Sequence, residues 1–335
     1  MKLGLMVNTP ELAQRLEHAL EPLHDIHWVA QDETQALRLC RDMPPELLLL
    51  QLGTADRVAF SQRVMNEAPC PLLLLDLATE LHTEWAFNAL GHGALDVVHL
   101  PELANGSAFN PALLLRKIQN IAWLATPPQP VTQRATRTSA KRACLIAIGA
   151  SAGGPATLNQ LLGELPKDLD AAVVLVQHLD DKFSAGMAEW LARESTLPVR
   201  LVQAGEIPQT GVVLLAGRNE HLTVSRRGDL QYSLKPDAQI YRPSIDIFFQ
   251  SIAEQWRGDA IGVLLTGMGR DGADGLKAMR ERGFATITQD QSSSVVWGMP
   301  KAAVAIDAAA EVLPLDRIAN RLAELCRWMA VKRNS

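Results

Sequence analysis

Short apolar runs of strand length recur along both halves of this chain, and helical spacings of apolar residues separate them. Leu3 to Val7, Glu46 to Leu52 (ELLLLQL), Pro71 to Leu77 (PLLLLDL) and Leu95 to Leu100 make the first series. Ala143 to Ile148 (ACLIAI), Ala172 to Gln177 (AVVLVQ), Ala260 to Thr266 (AIGVLLT) and Phe284 to Thr288 make the second. Runs that are apolar at successive positions suit strands covered on both faces, as in a parallel sheet between helical layers. Leucine is a weak strand former, so periodicity alone leaves the first series ambiguous; the repeated β-α alternation decides for strands. Pro10 to Leu20 reads as a helix, with Leu12, Leu16 and Leu20 on one face. Pro155 to Leu162, Phe183 to Arg193, Ile245 to Trp256 and Gly272 to Glu281 read likewise. The expected class is α/β, with two doubly wound parallel-sheet domains. Val199 to Leu234 differs: short strands joined by turns at Gly205, Gly211, Gly217 and Gly228 predict an antiparallel insert or an antiparallel extension of the second sheet.

The 335 residues suit two domains of ordinary size. Between the two series lies ATPPQPVTQRATRTSAKR, residues Ala125 to Arg142, with Pro127, Pro128 and Pro130 and few apolar side chains. Such a stretch buries too little surface to offset its ordering entropy, so it reads as a linker. The expected division is 1–124, a linker over 125–142, and 143–335. No Asp or Glu occurs from Leu103 to Gly163, whereas Arg116, Lys117, Arg134, Arg137, Lys141 and Arg142 are basic. That strip is either a solvated tether or a docking surface for an acidic partner. The net charge of -5 argues against a nucleic-acid partner. Cys40, Cys70, Cys144 and Cys326 show no CxxC or metal-ligand spacing and read as buried thiols in a reducing compartment. No secretory signal pattern opens the chain, and no apolar run reaches the ~18 residues of a membrane span, so a cytoplasmic protein without membrane insertion is expected.

Ligands of open parallel sheets bind beyond the carboxyl ends of the strands. ACLIAI is followed by Gly149-Ala150-Ser151-Ala152-Gly153-Gly154-Pro155, AVVLVQ by His178, and AIGVLLT by Gly267-Met268-Gly269-Arg270-Asp271-Gly272. A serine hydroxyl needs a base to take its proton, and the base needs a partner that fixes its tautomer and stabilises its charge. Ser151, His178 and Asp271 could fill those roles. Gly149 to Gly153 matches the GxSxG elbow, and backbone N–H groups near Ala152 and Gly153, at a helix N-terminus, suit an oxyanion. Singly, each residue has a plainer reading: the glycine-rich loop as a phosphate cradle, His178 as a strand-end histidine, Asp271 as a helix cap. The order Ser-His-Asp also differs from the Ser-Asp-His order of α/β-hydrolases.

The motifs IGASAGGP, LVQHL, YRPSIDIFF, LLTGMGRDGADGL and VWGMP, in that order from about Cys144 to Leu325, resemble the catalytic domain of the chemotaxis protein-glutamate methylesterases, the CheB family. The resemblance implies Ser151 as nucleophile, His178 as base and Asp271 as the orienting acid. It implies an oxyanion role for the backbone N–H of Met268, and it sets Arg242 and Ser244 on the border of the cleft. It implies methylated glutamates on the cytoplasmic domains of methyl-accepting chemoreceptors as substrate, deamidation of receptor glutamines as a side activity, and no cofactor or metal. Two positions depart from the family pattern: Ala152 stands where Thr is frequent, and Asp180-Asp181 stand where Pro-Pro is usual.

The first half resembles a response-regulator receiver in pattern and length, without its chemistry. Asn8-Thr9 stand in place of the acidic pair that binds Mg²⁺, Gln51 in place of the phosphoaccepting Asp, Asp76 in place of a Ser or Thr, and Leu100 in place of the Lys before Pro101. The expectation is a degenerate receiver that does not phosphorylate and that binds a chemosensory kinase or adaptor. Asp56 or Asp76 as an atypical acceptor is the alternative. Two rival functions remain at this level: a non-catalytic receptor-docking adaptor, and a nucleotide-binding regulator using the GASAGGP loop.

Overall fold

The computed structural model describes residues 1–53, 56–79, 81–104, 110–122, 144–236 and 241–334. The expected linker, 125–142, lies outside them, as do Arg134, Arg137, Lys141 and Arg142 of the basic strip. The chain divides into two compact units, Met1–Ala125 and Thr126–Ser335.

In the first unit the strands are β1 (Lys2–Met6), β2 (Asp25–Ala30), β3 (Leu47–Gln51), β4 (Leu72–Asp76) and β5 (Asp96–His99). Between and after them run α1 (Pro10–Leu20), α2 (Glu33–Asp42), α3 (Asp56–Glu67), α4 (Thr83–Gly91), α5 (Pro101–Ala104) and α6 (Ala112–Ala122). Thr9 and Asp32 cap α1 and α2, each side chain accepting from a backbone N–H in the first turn. The sheet is wholly parallel in the order β2-β1-β3-β4-β5, the flavodoxin-like arrangement of receivers. Leu47 to Leu50 and Leu72 to Leu75 are fully buried, which explains why these strands read as unbroken leucine runs. Lys117 of the basic strip is half committed elsewhere, with its ammonium 2.5 Å from Asp96 Oδ2.

In the second unit the strands are β6 (Cys144–Ala150), β7 (Ala171–Gln177), β8 (Val199–Leu201), β9 (Val213–Leu215), β10 (His221–Val224), β11 (Leu230–Ser233), β12 (Ala260–Leu264), β13 (Ala285–Gln289) and β14 (Glu311–Leu313). The helices are α7 (Gly154–Glu164), α8 (Ser184–Glu194), α9 (Ile245–Gln255), α10 (Ala273–Glu281), α11 (Met299–Ala305) and α12 (Leu315–Asn334). Seven strands form one parallel sheet, β14-β13-β12-β6-β7-β9-β8. The chain winds outward from β6 in one direction through β7, and later in the other through β12. The switch point therefore falls between β6 and β12. One face of the core carries Phe248, Phe249 and Ile252 of α9 and Leu276 and Met279 of α10.

The antiparallel extension expected over Val199 to Leu234 is corrected in part. β8 and β9 continue the main sheet in parallel, and only β10 and β11 form an antiparallel hairpin, separate from that sheet. The glycine turns misled because Gly205 and Gly211 lie in the crossover from β8 to β9, whereas Gly228 alone turns a hairpin. All four cysteines are buried and no disulfide forms among the described residues.

Candidate active site

Ser151 follows the last residue of β6, and its position is fixed by bonds from three elements. Its N–H donates to Thr266 O (3.0 Å) beyond β12, and its carbonyl accepts from Gly154 N (2.7 Å) and from the Gln177 side-chain amide (2.9 Å). The chain must then turn sharply into α7. Gly153 does this in the left-handed region (φ 74°), where a Cβ would also lie 2.5 Å from Val295. Across the switch point Gly267 comes so close that a Cβ there would sit 2.8 Å from Ser151 Cβ. Thr266, fully buried, bonds through its hydroxyl to Ala152 O (3.0 Å) and accepts from Val296 N (2.9 Å), tying the Ser151 turn to the 290–298 loop.

His178 follows β7, and its N–H donates to Ala150 O (3.1 Å), one residue before Ser151. The Gln177 amide donates to both Ser151 O and His178 O (2.9 and 3.2 Å), so one side chain clamps the carbonyls of both residues. The imidazole Nε2 lies 2.8 Å from Asp271 Oδ2. The proton on Nε2 faces the carboxylate, which leaves Nδ1 as the acceptor nitrogen. Nδ1 is buried and makes no hydrogen bond among the described residues, Ser151 included.

Asp271, 6% exposed, lies at the N-terminus of α9. Oδ2 accepts from Ile245 N (2.6 Å) as well as from His178, and Oδ1 accepts from the Ser244 hydroxyl (2.8 Å) and Asp246 N (3.2 Å). Burial alone would push this carboxyl up. The hydrogen bond and charge of His178, then Ile245 N and Ser244, outweigh that and hold it below the ordinary aspartate value. The positive end of the α9 dipole acts in the same direction.

Directly behind Asp271, Asp246 accepts from Gly275 N (2.7 Å). Burial, then the Asp271 charge, push the Asp246 carboxyl up to about 7. A carboxyl held above its unfolded value binds its proton more tightly in the fold, so stability is lost as pH rises from about 4 to about 7. Asp246→Asn keeps an oxygen for Gly275 N and removes that loss. Its Tm is expected to exceed wild type by about 3 °C at pH 8, with the gap closing as pH falls toward 4. A gap that stays constant with pH would show that Asp246 does not titrate in this window.

The cleft residues implied by the resemblance separate in space. Ala152 and Gly153 occupy the turn after Ser151, and Met268 the turn after β12; no backbone hydrogen bond from Ala152 or Met268 N–H forms among the described residues. Arg242 is half-buried and joined to Pro243 by a cis peptide. Ser244 does not line the surface: it is fully buried, caps α9 and grips Asp271. Asp180 and Asp181 follow His178; burial, then a bond to Asp180, push the Asp181 carboxyl up. Sequence reasoning missed Gln177, Tyr241, Asp246 and Thr266, although all four lie within motifs that were read for their neighbours.

In the first unit, Gln51 Oε1 accepts from Asn8 N (2.8 Å) at the β1–β3 switch point, and Arg57 donates to Asn8 Oδ1 (2.6 Å). Sites for divalent cations draw much of their affinity from carboxylate charge. Asn8 and Gln51 offer only neutral amide oxygens here, each accepting a hydrogen bond. Asp76 is fully buried and is held by His82 N (3.0 Å) and His82 Nδ1 (3.0 Å), with His99 Nδ1 at 3.5 Å.

A family model described as CheB methylesterase matches residues 146–322, just over half of the chain. A protein-glutamate methylesterase/protein-glutamine glutaminase of Pseudomonas fluorescens is 50% identical over 338 residues, covering 97% of this chain and 99% of the relative. The chain belongs to the CheB methylesterase family. A counterpart from Pseudomonas aeruginosa is likewise 50% identical, over 339 residues. The crystal structure of the Thermotoga maritima CheB methylesterase catalytic domain is 34% identical with a TM-score of 0.52, covering 55% of this chain and all of that one. The matched region contains every residue of the second-unit site. Among the described residues no helix is long and apolar enough to cross a membrane, and no cluster of His, Cys, Asp and Glu suits a metal ion.

Proposed function

We propose that this protein hydrolyses glutamate methyl esters on the cytoplasmic domains of methyl-accepting chemoreceptors, and deamidates receptor glutamines by the same acyl chemistry, as a step of sensory adaptation. The observation that carries this reading is the 2.8 Å contact of His178 Nε2 with Asp271, beside the Ser151 turn, in a chain of this family.

In the proposed mechanism Ser151 Oγ attacks the ester carbonyl and its proton passes to His178 Nδ1. Asp271, fixed by four donors, holds the Nε2–H tautomer and stabilises the imidazolium. The N–H groups of Met268 and Ala152, beside the α7 N-terminus, receive the oxyanion. The intermediate collapses, methoxide takes the proton from His178, and methanol leaves. Water then attacks the glutamyl ester of Ser151, giving one proton to His178 and through it to Ser151 Oγ, and frees the glutamate. With glutamine as substrate, ammonia leaves in place of methanol.

Release of labelled methanol from methylated receptor membranes tests the reading. A wild-type protein that binds those membranes and releases none would favour the adaptor instead.

The first unit is proposed to act without phosphorylation, through a kinase or adaptor. Gln51 cannot form an acyl phosphate, and the buried carboxylate of Asp76 already accepts from His82. Incubation with a small-molecule phosphodonor and Mg²⁺ is expected to add no phosphoryl mass to residues 1–122. A stable adduct there would overturn this.

A further inference from the structure

Tyr241 lies against the base. Its ring stacks on the His178 imidazole with centroids 4.2 Å apart and planes 3° from parallel. The same ring reaches the turn after β12: a Cβ on Gly269 would lie 3.5 Å from the Tyr241 hydroxyl. The other groups facing His178 are the Asp271 carboxylate at Nε2 and, behind it, Asp246 of α9, while Asp180 and Asp181 follow it along the chain.

Resting on the hydrolase reading above, we propose that Tyr241 is a positioning residue for the base: its π-face fixes the plane of the imidazole and stabilises the imidazolium formed during acyl transfer.

Two physical points support this. A hydrogen bond at Nε2 fixes one atom of the ring but leaves the ring free to rock about that contact. A parallel aromatic face 4.2 Å away opposes that motion and so holds the plane of the imidazole. Second, an aromatic face attracts a cation within ~6 Å of its centroid, most strongly where water is excluded. The His178 side chain is only 9% exposed. It is neutral before attack and cationic afterwards, so the attraction is greater in the transition state than in the ground state. Interactions of that kind raise kcat rather than lower KM.

The test is methanol release from methylated receptor membranes by the full-length chain. Tyr241→Phe, which keeps the face, is expected to stay within about threefold of wild type in kcat. Tyr241→Leu is expected to lose about tenfold or more in kcat with KM within about twofold. Phenylalanines of increasing ring fluorination at position 241 keep the shape while draining the π-face, so a folding defect in the leucine variant does not decide the matter. A stepwise fall of log kcat along that series is expected. A flat series with an active wild type overturns the role of Tyr241 alone; no methanol from the wild type overturns the hydrolase reading with it.

Discussion

Ser151→Ala is expected to lower kcat for methanol release by about 10⁶-fold, the loss typical when a serine hydrolase is left without its nucleophile. The surroundings make this a clean deletion. The bonds that fix residue 151 run through its backbone: N–H to Thr266 O, and carbonyl to Gly154 N and the Gln177 amide. Alanine keeps all of them, and a β-carbon is already accommodated 2.8 Å from the Cβ position of Gly267. Tm and affinity for methylated receptor membranes should therefore stay at wild-type values. That combination separates the three functions raised by the sequence. An adaptor would be indifferent to the substitution, and a nucleotide-binding regulator would keep its nucleotide affinity in calorimetry. A variant that still released methanol at more than about one-hundredth of the wild-type rate would remove Ser151 from the chemistry, since background catalysis by binding and oxyanion donors alone is far weaker.

What the sequence made legible follows from where each residue's constraint lies. Strands buried on both faces announce themselves, so the leucine run of β3 and the valine run of β7 were found within a residue or two of their ends. β2, which is half exposed, and the three-residue β14 carry no such run and were not found. Ser151, His178 and Asp271 drew attention because each lies in a loop beyond the carboxyl end of a strand, where a parallel sheet collects its chemistry. Residues that act on those three from the side gave no such signal. Gln177 is a buried polar side chain inside a strand and declares its role only when its amide is seen to span two carbonyls. Ser244 looked like a cleft residue because its motif borders one, and only the packing of α9 turns it inward. Asp246 has a helical position and an ordinary-looking charge; its burial against Asp271 is a tertiary fact. In the first unit Asn8 and Gln51 drew notice in the sequence for the residues they replace, whereas the bond from Arg57 to Asn8 carried no sequence signal.

Asp271→Asn is expected to cost less than loss of the nucleophile, and the pattern of donors around Asp271 sets how much less. Where the corresponding substitution forces the base into the wrong tautomer, kcat falls about 10⁴-fold. Here the two oxygens are not equivalent. Oδ2 receives Ile245 N at 2.6 Å together with His178 Nε2, so an amide NH₂ at that position would confront a fixed backbone donor. Oδ1 receives the Ser244 hydroxyl at 2.8 Å and Asp246 N at 3.2 Å. A hydroxyl can rotate and accept, and the longer backbone contact tolerates the exchange. The amide nitrogen is thus directed to the Oδ1 position and its oxygen stays opposite His178, which keeps the Nε2–H tautomer. What is lost is the negative charge that stabilises the imidazolium, so kcat should fall about 10²–10³-fold, short of the tautomer-loss figure. Ser244→Ala separates the two effects: with no hydroxyl to accept from the amide, the Asp271→Asn/Ser244→Ala double variant keeps only the Ile245 N–H to favour an oxygen at Oδ2, and a larger share of it adopts the flipped amide. Its kcat should drop further toward the 10⁴-fold level, although Ser244→Ala alone leaves the carboxylate with three of its four donors. Additive losses in this cycle would show that Ser244 does not direct the orientation.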